Sequence, residues 1–80
     1  MGKGYRVELT ATAASTCTEN PRVRLSNILL SMKSGDVVEI VGEETYYPYN
    51  KLVSILKGSG LVIRNESYDG LTYTVVAEKP

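Results

Sequence analysis

Between Asn20 and Gly35 the chain carries one apolar stripe, in which Leu25, Ile28, Leu29 and Met32 recur at i, i+3, i+4 and i+7. At about 100° per residue these four side chains fall within an arc of roughly 100°, the pattern of a helix with one buried face. Asn20-Pro21 is a strong start for it. Asn can accept from the N2 or N3 amide, and Pro at N1 needs no partner for its missing N–H. Lys33 in the last turn suits the negative helix end, and Gly35 supplies the stop. A stripe of this kind needs a sheet to lie on, and both flanks offer one. Tyr5, Val7, Leu9 and Ala11 alternate with Arg6, Glu8, Thr10 and Thr12, which predicts a strand over Tyr5–Thr12. Residues 13–20 are small and polar and read as a loop.

Beyond the stripe, Val37–Val41 is β-branched and interrupted only by Glu39, which suits a central strand covered on at least one face. Gly42-Glu43-Glu44-Thr45 reads as a turn. A second helix starts near Pro48, with Leu52, Ile55 and Leu56 on one face and Lys57-Gly58 closing it. Leu61–Arg64 begins a third strand that frays near Asn65. Asp69-Gly70 signals a hairpin, and Leu71–Ala77 forms the last strand, with Tyr73 and Val75 facing away from Thr72, Thr74 and Val76. The resulting order is β-α-β-α-β-β in one domain spanning residues 1–80. Four strands and two helices in 80 residues leave too little material for three layers. The expected fold is therefore α+β, a two-layer α/β sandwich with a mixed four-stranded sheet, both helices on one face and the other face solvated.

Composition narrows the chemistry. Nine Lys+Arg balance nine Asp+Glu, there is no histidine, and Cys17 is the single cysteine. Without histidine, a Ser-His-Asp or Cys-His apparatus cannot be assembled within the chain. A Cys/His zinc site needs about four ligands, so neither a metal nor any other cofactor is expected. Gly58-Ser59-Gly60 is too short for a phosphate-cradling loop. Zero net charge argues against a nucleic-acid partner, and no apolar run is long enough to cross a membrane. The first residues lack a signal-peptide core, and Arg6 stands where a myristoylation motif needs Ser or Thr. An unpaired thiol suits a reducing cytoplasmic setting.

Three segments together resemble a known family. Cys17-Thr18-Glu19-Asn20-Pro21, then Lys33-Ser34-Gly35-Asp36-Val37-Val38-Glu39-Ile40, then Lys57-Gly58-Ser59-Gly60-Leu61 are similar to the TusA/SirA-like small sulfur-carrier proteins. That family has the same β-α-β-α-β-β order, a Cys-Pro-x-Pro motif before the first helix, and Gly turns after both helices. The resemblance covers about residues 5–79. It implies a cytoplasmic persulfide relay between sulfur-donor and sulfur-acceptor proteins, with Cys17 as the acceptor. Counting back from Pro21, the family cysteine falls at Thr18 and its first proline at Glu19, so Cys17 stands one residue early and no proline follows it. Either the loop has gained a residue and Cys17 still serves, or the fold persists as a non-catalytic interaction module.

The residues have their own case. A thiol close before a helix N-terminus feels the partial positive charge of free backbone N–H groups, which raises its thiolate fraction. Arg22 adds positive potential from the first turn, and Arg24 follows it; either can dock an acidic partner or simply stay solvated. Glu19 favours the helix dipole, and Asn20 caps the helix. Either of them can also orient a partner's sulfur. Tyr46-Tyr47-Pro48-Tyr49 offers a contact patch or, with Lys51 and Arg64, a surface for stacking bases. The plainer reading has one tyrosine stapling the second helix to the core and the others covering it. The family fold also resembles the C-terminal domain of a translation initiation factor, which leaves RNA binding as a fold-level analogy.

Overall fold

The computed structural model describes residues 2–16 and 20–80. Its elements are β1 (Gly4–Leu9), α1 (Ala11–Thr16), α2 (Pro21–Ser31), β2 (Val37–Glu43), α3 (Tyr49–Gly58), β3 (Val62–Asp69) and β4 (Thr72–Glu78). The strands form one mixed sheet in the order β1-β2-β4-β3. β1 and β2 run parallel, and β4 is antiparallel to both of its neighbours. The fold is α+β, with the expected succession of strands and long helices and one additional short helix.

Register explains the two faces. Val7 stands opposite Ile40, which stands opposite Val75, and the flanking rows set Tyr5 beside Val38 and Ala77, and Leu9 beside Gly42 and Tyr73. These rows point to one side, because side chains two apart along a strand share a face. They join Leu25, Ile28, Leu29 and Met32 of the α2 segment and Leu52 and Leu56 of α3 in a single core. The opposite face carries Arg6 paired with Glu39 and Glu8, and Arg64 paired with Glu78.

Several boundaries differ from expectation, each for a local reason. β1 ends at Leu9 rather than Thr12, and the supposed loop holds α1. Its six residues, ATAAST, include three alanines, the best helix former, and the Glu43 carboxylate accepts the Ala11 N–H at 3.0 Å. α2 stops at Ser31, with Met32 extended, so Lys33 lies beyond the last turn. The Asp36 carboxylate takes the Lys33 N–H instead, at 2.9 Å. Gly42 and Glu43 continue β2 rather than turning the chain. β3 does not fray at Asn65: it passes a bulge between Ile63 and Asn65 and stays paired with β4 to Asp69. Leu71 belongs to the hairpin loop, where Gly70 takes a φ of +62°. A glycine first in a two-residue loop, with that sign of φ, matches the twist of the strands it joins.

Candidate functional site

The sequence directs attention to the N-terminus of α2. Cys17 and Glu19 lie outside the described residues. Asn20, Pro21 and Arg22 are described. Asn20 is extended and accepts the Arg22 N–H on its Oδ1 at 2.8 Å, the N-cap arrangement expected of it. Pro21 opens the helix and is buried, so its role is to fix the angle at which α2 leaves the cap.

Arg22 turns toward the tyrosine loop. Its Nη2 donates to the Tyr46 carbonyl at 3.0 Å, and the guanidinium carbon stands 4.9 Å from the Tyr46 ring centroid and 5.6 Å from that of Tyr47. Lys51 Nζ lies 5.4 Å from the Tyr47 centroid, so two cations share one aromatic loop. The helix start and the α3 entrance are thereby joined through Arg22. Its remaining donors and its positive charge stay exposed beside residues 20 and 21. Arg24 is exposed as well.

The tyrosines divide the way the plainer reading expected. Tyr47 is buried in the core, while Tyr46 and Tyr49 pack against it from outside. Tyr49 is edge-on to Tyr68 and Tyr73, with centroids 5.8 and 5.4 Å apart. Arg64 is not among them, because it pairs with Glu78 at 2.8 Å. With Tyr47 buried and Arg64 ion-paired, the five residues considered for base stacking do not offer one free stacking surface.

The structure also assembles a phenol–carboxylate network that the sequence reading missed. Glu44 Oε2 accepts the Tyr49 N–H at 3.1 Å and the Tyr68 O–H at 2.8 Å, and the Tyr49 O–H donates to Glu66. Tyr73 donates to the Tyr47 carbonyl at 2.6 Å. The bond to Glu66, helped by burial and by the Glu66 charge, pushes the Tyr49 phenol up to about 12. The bond to Glu44 raises Tyr68, and burial raises Tyr47 and Tyr73. All four phenols hold their protons at neutral pH, and those of Tyr49, Tyr68 and Tyr73 serve as donors, not as bases or nucleophiles. Glu44 and Glu66 are 22 positions apart in sequence, and only the pairing of β3 along its full length brings Glu66 beneath Tyr49.

Among the described residues, no three His, Cys, Asp or Glu side chains converge as a metal-binding group, and no helix is long and apolar enough to cross a membrane. No protein-family model, curated protein or solved structure matches the chain.

Proposed function

We propose that the protein is a small sulfur carrier similar to the TusA/SirA-like proteins, relaying a persulfide on Cys17 between a donor and an acceptor protein. The observation that carries this reading is the capped helix N-terminus at Asn20-Pro21-Arg22, three residues after the single thiol, in a β-α-β-α-β-β frame. The chemistry needs no histidine. The Cys17 thiolate attacks the outer sulfur of a donor persulfide, the donor S–S bond breaks, and the donor leaves as a thiolate. Cys17 then carries the outer sulfur as a persulfide and the donor is returned to a thiol, so the exchange needs no external oxidant or reductant. The positive end of the α2 dipole and the Arg22 guanidinium favour the anionic sulfur.

Incubation with a persulfide donor, followed by intact mass, is expected to add one sulfur (about 32 Da) to the wild type and nothing to Cys17→Ser. A wild type left unmodified by several donors would remove the carrier reading. A second reading is an interaction module that keeps the fold without the chemistry, favoured by the missing Cys-Pro-x-Pro and by an Arg22 already engaged with Tyr46. Thiol titration separates the two: a Cys17 pKa below about 7.5 supports the carrier, and a value near 8.5 or above supports the module.

A further inference from the structure

Zero net charge conceals a segregated surface. α2 (PRVRLSNILLS) and α3 (YNKLVSILKG) contain Arg22, Arg24, Lys51 and Lys57 and no acidic residue. The ion pairs found among the described residues all lie on the sheet, at Arg6 and Arg64. The two helices themselves therefore carry only basic charge, with no carboxylate in ion-pair contact among those residues; Glu44 and Glu66 meet α3 only at its N-terminal end, and the opposite sheet face is mixed and internally neutralised.

Within that layer, α2 is apolar on two sides. Leu25, Ile28 and Leu29 enter the core, but Val23 and Leu30, seven residues apart and so on one stripe, are 51% and 85% exposed. Next to Leu30 an open groove of about 530 Å³ runs between the helices, lined by Ser26, Leu29, Leu30, Ile55, Gly58 and Lys79. Lys51 stands one turn before Ile55, and Lys79 lines the groove, so the apolar floor has cationic neighbours.

We propose that the α2–α3 groove is a docking site for an acidic amphipathic helix of a partner protein, whose apolar side chains cover Leu30, Val23 and Ile55 and whose carboxylates meet Lys51 and Lys79. Charge decides against a second copy in face-to-face contact, because that would set like charges together across the groove. The apolar floor decides against a phosphate backbone, which has nothing to place on Leu30. The inference does not rest on sulfur relay; a chain that never takes up sulfur can still pass its test.

The test is an NMR titration of the full chain with an amphipathic Leu/Glu peptide of about 16 residues, some 24 Å of helix. A Leu/Lys counterpart, phosphatidylserine vesicles and polyuridine serve as comparisons. The Leu/Glu peptide is expected to shift the amides of Val23, Ser26, Leu30, Ile55, Gly58 and Lys79, and the Leu/Lys peptide to shift none. Binding should weaken at least tenfold between low and high salt. Leu30→Asp should weaken it at least tenfold while leaving the rest of the spectrum unchanged, and Lys79→Glu should weaken it less. Silence toward the Leu/Glu peptide at millimolar concentration, shifts away from the groove, an unaffected Leu30→Asp variant, or tighter binding to vesicles or polyuridine would each overturn the proposal.

Discussion

Gly42 and Tyr73 face each other across the β2–β4 ladder, and the first exists for the second. A Cβ built at Gly42 would overlap the Tyr73 ring at Cζ and Oη, so only a glycine lets that ring lie flat over β2 and reach the Tyr47 carbonyl. Two effects compete when Gly42 becomes alanine. Alanine suits a strand better by about 0.5–1 kcal/mol, but overpacking a full core costs about 1–3 kcal/mol, and Tyr73 is too enclosed to move away. Gly42→Ala is therefore expected to destabilise, read as a lower urea midpoint. Tyr73→Phe should cost about 1–3 kcal/mol by leaving the buried Tyr47 carbonyl without its donor. In a Tyr73→Leu background the same Gly42→Ala change should lose most of its penalty, and a double-mutant cycle measures that coupling. Independent, additive effects would mean that the ring does not hold the glycine in place. Nothing in the local pattern announces this pair. Gly42 beside two glutamates reads as a turn, and only the ring opposite it makes a strand glycine necessary.

α2 illustrates which parts of an element are legible from a single sequence and which are not. The stripe Leu25, Ile28, Leu29 and Met32 names the buried side correctly, and Asn20-Pro21 names the start, because both signals are carried by neighbours a few positions apart. The end at Ser31 is invisible locally. It is set by the Asp36 carboxylate, which withdraws the Lys33 N–H from the helix. The same holds for β3, whose exposed sequence, Arg64-Asn65-Glu66-Ser67, has no strand pattern and is held by the ladder to β4. α1 was missed for the complementary reason: alternation through Ala11 and Thr12 imitates a strand, whereas the alanines and the Glu43 cap favour a helical turn. Of the candidate site, the cap and Arg22 could be read in advance, but the docking of Arg22 onto Tyr46, 24 residues away, could not. Two neighbouring substitutions measure how well the element is understood. Leu29→Ala should cost about 2–5 kcal/mol through lost burial and the cavity left behind. Leu30→Ala, one position on, should change stability by less than about 0.5 kcal/mol. Asn20→Ala falls between, at about 1 kcal/mol, because the Arg22 N–H loses its acceptor. Equal losses at Leu29 and Leu30 in urea titrations would mean that α2 is rotated from its described orientation.

One carboxylate holds together chain segments that are far apart in sequence. Asp36 is buried to 7% exposure, and its Oδ1 and Oδ2 accept the N–H groups of Lys3 and Lys33 at 2.8 and 2.9 Å. Its own carbonyl takes the Lys79 N–H at 2.9 Å, while the Lys79 carbonyl takes the Gly35 N–H at 2.7 Å. The lead-in to β1, the exit of α2 and the end of β4 are thus closed at one corner of the sheet. Both backbone donors require the ionised carboxylate. The bond from Lys3, then that from Lys33, lowers the Asp36 pKa below its ordinary 3.8; partial burial opposes them, and the two lysine charges add to them. The sign of the linkage follows. The folded pKa lies below the unfolded one, so the stabilisation is complete above the unfolded value, near pH 4, and is lost as the pH falls through the folded value. In urea titrations from pH 7 to pH 2, the wild type should lose stability in that lower window. Asp36→Asn should be less stable than the wild type at pH 7, because one of its two amide positions turns N–H groups toward a backbone donor. It should also show a shallower fall below pH 4, and the Lys3 and Lys33 amides should exchange faster with solvent at neutral pH. If the variant keeps the wild-type acid profile, the acid sensitivity belongs to other carboxylates. If those two amides keep their protection, the corner is held by the β1–β2 and β2–β4 ladders and not by Asp36.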